Sequence, residues 1–326
     1  MREVVGVLRG GPSSEYEVSL RSGATVLEAL DREKYDPRDI FIDRLGVWHT
    51  AGIPGTPERV LRGVDVVFNA LHGEYGEDGK VQRTLDALAI PYTGSGAAQS
   101  AVAFNKQRTK EALKTFGIKM PHSILVRPEG DSEALALKIF RSFPHPAIVK
   151  PGSGGSSVGI TIADNFHALQ RGLEYAARVS PQVLVEEFIK GREATVGVID
   201  SFRNEHTYAL MPVEIIPASH RPFFDYEAKY GGETTERVPA HFTSHEKQEL
   251  TNLARQVHEG LELSHYSRSD FMVSKRGIYF LEVNTLPGLT KESLLPKALH
   301  AVGAKLSDFF DHVISLARGR RRTQQA

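Results

Sequence analysis

The 326-residue sequence has no cysteine and a single tryptophan, and its forty Lys and Arg residues are balanced by forty Asp and Glu. Without cysteine there is no disulfide framework, thiolate zinc site, iron–sulfur cluster or cysteine nucleophile. The charge balance supplies no global field for gripping nucleic acid or an anionic membrane, so any anionic ligand must be held locally. No apolar run approaches the roughly 20 residues that span a bilayer. The opening Met1-Arg-Glu-Val-Val-Gly-Val-Leu8 is too short, and too soon followed by glycine and charge, to be a signal peptide. A cytoplasmic protein with no membrane or nucleic-acid partner is the expectation. What is present, 40% hydrophobic and 25% charged residues, is the composition of a globular chain long enough for two or three domains.

The first third alternates strand and helix patterns, which implies a parallel α/β sheet. Val4 to Leu8 and Val66 to Leu71 read as strands, and Val18, Val26, Leu27 and Leu30 lie on a helix, with Ser14 and Glu17 spaced as a capping box. The turn-rich Pro91-Tyr-Thr-Gly-Ser-Gly96 closes this part. One helical stretch through Lys106, Arg108 and Lys110 to Gly117 follows, then strands at Ile124 to Val126, Ala147 to Lys150 and Val183 to Phe188. Beyond a boundary near Val185 come paired strands over Glu193 to Asp200 and His206 to Ile216, a helix near Lys247 to Leu261, a hairpin from Ser269 to Asn284, and an amphipathic helix through Leu306, Phe309 and Val313. The expected domains are 1–96, 97–185 and 186–326. The basic run Arg318-Gly-Arg-Arg-Arg322 reads as a solvated, frayed end.

The hairpin is the most informative element. A three-residue loop, Lys275-Arg276-Gly277, would pair Ser274 with Ile278, and counting outward sets Asp270 opposite Glu282. Alternation puts Glu282 and Asn284 on one face, so three oxygen donors gather in a small area. Such a set suits Mg²⁺, which completes its shell with water and nucleotide phosphates. The competing reading is a polar sheet face paired with Lys or Arg. Arg268, two residues before Asp270, projects onto the same face, placed to meet developing negative charge.

Pro151-Gly-Ser-Gly-Gly-Ser-Ser-Val-Gly159 follows the strand ending in Lys150. Its glycines let backbone N–H groups close on an anion and its serines add donors, so it suits a phosphate; a plain linker is the alternative. Neither this loop nor Gly10-Gly11 matches the P-loop or the dinucleotide fingerprint.

The segments Gly10-Gly-Pro-Ser-Ser-Glu-Tyr-Glu-Val-Ser-Leu20, Leu71-His-Gly-Glu-Tyr-Gly-Glu-Asp-Gly79, Pro91 to Gly96, Gly155-Ser-Ser-Val-Gly159, Asp225-Tyr-Glu-Ala-Lys-Tyr230 and Asn284-Thr-Leu-Pro-Gly-Leu-Thr290 resemble, in order, the signature stretches of D-alanine:D-alanine ligases of the ATP-grasp superfamily. The resemblance runs from about residue 4 to residue 315. It implies a three-domain α/β ATP-grasp architecture: an N-terminal parallel α/β domain followed by two α+β domains clasping ATP. It further implies ligation of two D-alanine molecules through an acylphosphate, for peptidoglycan precursor synthesis, by a homodimer using two Mg²⁺ ions, with Mn²⁺ as a substitute.

Carried over by position, the resemblance assigns Asp270, Glu282 and Asn284 to the metal ions and Lys106, Lys150 and Lys229 to phosphates. Glu186, Glu187, Phe188 and Ile189 match the hinge at the adenine, and Glu193 the ribose contact. Glu15 matches the carboxylate receiving the first substrate's ammonium, linked through Ser156 to Tyr230; a first-turn helix-dipole residue is its structural alternative. His72, Ser293, Gly288 and Leu289 match second-substrate contacts, and Arg268 the stabiliser of the acylphosphate and tetrahedral species. Pro12, Gly152 to Gly155 and Leu286 depart from the usual pattern, Leu286 standing where Ser is frequent. The rivals are an ATP-grasp ligase with another second substrate such as D-lactate, and a non-catalytic nucleotide-binding regulator. The complete set Asp270, Glu282, Asn284 and Arg268 argues against the regulator, because binding alone does not require all four.

Overall fold

The computed structural model describes residues 2–153, 159–217 and 235–324. The first sheet contains β1 (Glu3–Gly10), β2 (Tyr35–Ile42), β3 (Trp48–Thr50), β4 (Ile53–Gly55) and β5 (Val66–Asn69) in the order β4-β3-β2-β1-β5. Strands β2, β1 and β5 are parallel, as alternation with helices α1 (Tyr16–Ala29), α2 (Pro57–Val60) and α3 (Lys80–Ala87) leads one to expect. Strands β3 and β4 are antiparallel additions at one edge. The capping box read at Ser14 and Glu17 is absent. Glu15 occupies the N-cap position of α1 without a side-chain cap, and Ser13 Oγ accepts the Glu15 N–H instead. At the end of β1 the chain turns with Gly10 at φ +92°, where a Cβ would lie 2.2 Å from the Ile42 carbonyl oxygen. Only glycine fits there.

The single helical stretch expected through Lys106 is two helices, α4 (Ala97–Phe104) and α5 (Lys106–Leu113). They break at Asn105, whose side chain accepts the Arg108 N–H and so caps the second. An antiparallel sheet follows, built from β6 (Ser123–Val126), β7 (Ala147–Pro151), β8 (Thr161–Ala163) and β9 (Val183–Glu187) in the order β6-β9-β7-β8, with α6 (Ser132–Ser142) and α7 (Phe166–Ala177). Ala136, Ile139, Leu169 and Leu173 from the helices and Val149, Val183 and Val185 from the strands make its core.

The third sheet is antiparallel, with β10 (Arg192–Asp200), β11 (Thr207–Ala209), β12 (Val213–Ile216), β13 (Thr235–Arg237), β14 (Tyr266–Ser274) and β15 (Gly277–Asn284). The strand expected over His206 to Ile216 is broken in two. Both pieces pair with β10, as β11 at Asp200 and β12 at Glu193. Helix α8 (Ser244–Gly260) begins with a reciprocal capping box between Thr243 and Glu246. Leu250, Ala254 and Val257 from α8 and Leu113 and Ile118 from the α5 end pack on Val196, Phe271 and Phe280 of the sheet.

Two closing helices, α9 (Leu294–Ala301) and α10 (Leu306–Gln324), return the chain to the first sheet. Phe310 meets Phe68 of β5 edge-on at 5.2 Å, and the same core holds Val5, Val7, Tyr266, Phe309 and Ile314. An edge-to-face pair of this kind adds about 1 kcal/mol beyond its buried area. The basic run at 318–322 is helical rather than frayed, and Arg318 Nε lies 3.3 Å from Glu3 Oε1. Among the described residues no helix is long and apolar enough to cross a membrane.

Candidate active site

The hairpin reaches the expected register by a different route. Its loop has two residues, because Ser274 pairs with Gly277, and Val273 and Phe271 pair with Ile278 and Phe280. A bulge between Asp270 and Phe271 inserts Leu281, and from there Asp270 faces Glu282 and Arg268 faces Asn284. The oxygen donors therefore converge because a shorter loop and an extra strand residue cancel. Arg268 grips Asp270 with a two-pronged contact, Nε to Oδ1 at 3.0 Å and Nη2 to Oδ2 at 2.9 Å. Thr195 of β10, directly across from Asp270, donates its hydroxyl to Oδ1. Glu282 Oε2 lies 3.3 Å from Lys106 Nζ, and Asn284 Oδ1 accepts the Leu286 N–H at 2.8 Å. Two carboxylates and an amide oxygen are hard donors that fit Mg²⁺ shared with phosphate oxygens. Among the described residues there is no group of three or more His, Cys, Asp or Glu that would hold a metal without a ligand's help.

A cleft of about 570 Å³ opens beside this hairpin and is lined by Ser13, Glu15, Gly73, Lys106, Lys150, Ser153 and Glu282, among others. That volume suits a small-molecule ligand. Its wall combines the first sheet's loops, α5, the end of β7 and β15. Behind Lys150 lies Glu186 of β9, almost fully buried, with Oε2 2.5 Å from Lys150 Nζ and Oε1 in contact with Lys110 Nζ. Burial works against the charged form of Glu186, but the two ammonium groups hold its carboxyl below the usual range. Lys110 was not singled out in the sequence. The available signal was its position four residues after Lys106, since like charges at that spacing are unfavourable on an isolated helix.

Glu15 is buried at the cleft's edge beside Gly73. Gly73 has φ +70°, and a Cβ there would stand 2.8 Å from Glu15 Oε2 and 2.9 Å from Ser13 Oγ. His72 is buried with both ring nitrogens engaged: Nδ1 lies 2.8 Å from the Leu286 carbonyl oxygen and Nε2 2.7 Å from Ser22 Oγ. A carbonyl only accepts, so Nδ1 carries the proton. The Leu289 N–H donates to Ser22 Oγ at 3.2 Å, and the hydroxyl in turn donates its hydrogen bond to Nε2. Burial pulls the His72 pKa down, which keeps the ring neutral. Leu286 takes part through its backbone, so the exchange of Ser for Leu leaves this bond intact. Glu77, within the 71–79 segment, has no local signal that marks its role. It is buried, accepts the Gly73 N–H at 2.8 Å, and is pushed well up by burial and then by Glu15.

The hinge residues occupy the end of β9 and the chain beyond it. Glu187 pairs with Arg276 of the hairpin tip at 2.6 Å, Phe188 donates its N–H to the Pro146 carbonyl, and Ile189 is buried. Glu193 stands on β10 opposite Met272 and Ile215. Ser293 Oγ bonds Thr290 Oγ1 at 2.8 Å, and a Cβ on Gly288 would meet Ser293 Oγ at the same distance. Gly288, Leu289 and Ser293 thus form one small turn behind His72. Ser156, Lys229 and Tyr230 lie outside the described residues.

Known proteins share this fold over nearly the whole chain. A D-alanine–D-alanine ligase structure from Coxiella burnetii superposes with a TM-score of 0.85 at 26% identity, covering 99% of this chain and 96% of that one. One from Bacillus anthracis complexed with ATP gives 0.81 at 31% identity, with 99% of each chain covered. The fold is that of an ATP-grasp enzyme. The family description "D-ala D-ala ligase C-terminus" matches residues 112–315 and "D-ala D-ala ligase N-terminus" matches 4–59 and 49–95. A D-alanine–D-alanine ligase of Geotalea uraniireducens is 39% identical over 316 residues, 96% of this chain and 95% of the relative. The chain belongs to the D-alanine–D-alanine ligase family of ATP-dependent ligases.

Proposed function

We propose that this protein joins two D-alanine molecules, with ATP cleaved to ADP and phosphate, to make the dipeptide used in peptidoglycan precursors. The observation that carries the reading is the convergence of Glu15, Lys106, Lys150 and Glu282 on one cleft in a chain related to these ligases over its full length. The first D-alanine's carboxylate attacks the γ-phosphorus and ADP leaves, giving an acylphosphate. The second substrate's free amine attacks the acyl carbon, and the tetrahedral species collapses to the amide as phosphate departs, the phosphate taking up the amine's proton. Phosphorylation converts a poor leaving group into a good one.

The chain's part is positioning and charge stabilisation. Glu15 receives the first ammonium, and Lys106, Lys150 and Lys229 receive phosphates. Glu187 to Ile189 and Glu193 receive the nucleoside, with Glu186 at the head of that segment holding Lys150 from behind, His72, Gly288, Leu289 and Ser293 shape the second pocket, and Arg268 faces the developing charge. Asp270, Glu282 and Asn284 would hold two Mg²⁺ ions, which neutralise charge on the transferred phosphoryl group. Neutral His72, with both nitrogens committed, orients the pocket and takes no proton. The domain division 1–96, 97–185 and 186–326 is supported by the three sheets, with β9 carrying the middle unit on to Glu187. A cytoplasmic homodimer completes the reading; the exposed Leu45 and Ile53 at the first sheet's edge are consistent with an association surface.

D-Alanine is the second substrate in preference to D-lactate. The amino group of free D-alanine is mainly an ammonium between pH 6 and pH 8, so the pocket must first accept an ammonium. Tyr230, neutral throughout this range, does not repel it as a cationic histidine would. Supplying D-alanine with excess D-lactate at pH 6 and pH 8, and weighing the products by mass spectrometry, tests this. Dipeptide at both pH values is expected; predominant depsipeptide at pH 6 would refute the substrate assignment.

A further inference from the structure

We infer that Lys110, which does not line the cleft, is a positioning residue for the nucleotide, acting through Glu186 to set the Lys150 ammonium. The inference rests on the ATP-site reading above and extends it to a residue with no assigned role. Lys110 projects from α5 into the space between α5 and the second sheet, with its side chain only 9% exposed. Its ammonium is fully engaged there: it donates to the Pro121 carbonyl at 3.1 Å and to Ser123 Oγ at 3.2 Å, and it contacts Glu186 Oε1. Three donors thus meet three acceptors, one just before β6, one at its first residue and one on β9. Such a group can contribute nothing directly to a ligand in the cleft.

Its effect is on Glu186, whose side chain is 3% exposed. A carboxylate so buried with one cation would draw that cation fully onto itself, because each charge removed from water seeks its partner. With Lys110 on Oε1, Lys150 is tied through Oε2 alone, at 2.5 Å, and lines the cleft. Two ammonium groups on one carboxylate also give the cluster a net charge of +1, whereas Lys150 and Glu186 alone would be neutral. A surplus positive charge in a low-dielectric wall favours a polyphosphate. Lys110 further ties α5, which carries Lys106 toward Glu282, to the strand that carries Glu186. The same helix thereby sets both cleft lysines, Lys106 from its first residue and Lys150 through Lys110.

The test compares Lys110→Met, Lys110→Arg, Lys150→Met and Glu186→Gln, with ATP affinity by calorimetry, Michaelis constants for ATP and D-alanine by phosphate release, and thermal unfolding without ligand. Lys110→Met should raise the ATP dissociation constant and KM by about tenfold or more, while kcat and the KM for D-alanine stay within about twofold. Lys110→Arg, which keeps the charge, should restore most of the affinity. Because Lys110 acts through Glu186, adding Lys110→Met to Glu186→Gln should change ATP binding by less than about threefold, a non-additive result. That double variant leaves no orphaned carboxylate, so it carries the test should Lys110→Met alone fail to fold. A folded Lys110→Met protein with unchanged ATP affinity, or a further tenfold loss in the Glu186→Gln background, would overturn the inference. If Lys150→Met also leaves ATP affinity unchanged, it is the assignment of the ATP site that falls.

Discussion

The third sheet carries two hydrogen-bonded aspartates on neighbouring strands, Asp200 partly buried and Asp270 buried, and their surroundings differ in one further respect. Asp200, at the end of β10, is enclosed by donors: Oδ1 faces His258 Nε2 at 3.0 Å, Oδ2 accepts the His265 N–H, and its carbonyl accepts from His312 Nε2 at 2.7 Å. Burial disfavours the Asp200 carboxylate, yet His258 and the His265 N–H hold its pKa below the usual range. His258 Nδ1 in turn meets Ser267 Oγ at 2.8 Å. The sequence Asp, His, Ser has the residue types of a hydrolase triad, but Ser267 is completely buried and no substrate can reach its hydroxyl. Asp270 has Arg268 and Thr195 as donors, and in addition stands directly across from a second carboxylate, Glu282. Like charges directly opposite one another weaken a sheet. Where donors and acceptors balance, the network is scaffold; where like charges are held together, it is prepared for a cation and a charged substrate.

The largest expected effect comes from breaking the second arrangement. Glu282→Gln removes one charge from the paired carboxylates and should lower kcat by about 10³-fold or more, as loss of a charge-stabilising group in a preorganised site does. Circular dichroism and thermal unfolding should remain near wild type, and substantial turnover at limiting Mg²⁺ would remove the distinction between the two aspartates. Asp200→Asn should do the reverse. It places an amide where two donors require a carboxylate, at a cost of about 2 kcal/mol by chemical denaturation, while kcat for D-alanine ligation changes less than about threefold.

Acidification should separate the two regions by pH. His72 has a lowered pKa in the folded protein, so its contribution is present above the unfolded value near 6.5 and is lost as pH falls through the folded value. Asp200 is also lowered, but from the carboxylate range, and its contribution is lost only below about pH 4. The wild-type unfolding midpoint should therefore drop between pH 7.5 and 5.5 and again below pH 4. His72→Gln should flatten the first step and Asp200→Asn the second. Exchange of the two outcomes would reverse the assignment. The smallest effect is expected at the exposed pair of Arg276 and Glu187. Arg276→Ala should change stability by less than about 1 kcal/mol, because a solvated ion pair gains little beyond its hydration.

Much of the site was legible before any coordinates. Asp270, Glu282 and Arg268 follow from strand alternation and hairpin counting, since a period of two is set by backbone geometry whatever the rest of the chain does. The loop has two residues where three are expected, and a bulge at Leu281 restores the register, because two- and three-residue loops are both compatible with a glycine at 277. Lys110, Glu77, Ser22 and Thr195 were not legible. Lys110, Ser22 and Thr195 act through partners far away in the chain, Glu186, His72 and Asp270, while Glu77 accepts a nearby N–H but owes its burial to distant segments, and no local pattern distinguishes a lysine that will be buried from one that will be solvated.

Alternating hydrophobic periods, glycines at forced turns and the ordered signature segments therefore determined the parallel first sheet, the hairpin and the family of the chain. Tertiary structure alone decided which charges are complete and which are held in surplus. Burial and distance set the strength of a charge interaction, and both arise only when α5 lies against β9, and β10 against β14. Folding makes one histidine a neutral clamp at Leu286 and another the partner of Asp200. It likewise turns one lysine toward the cleft and sets another behind it, although the sequence writes each pair with the same letter.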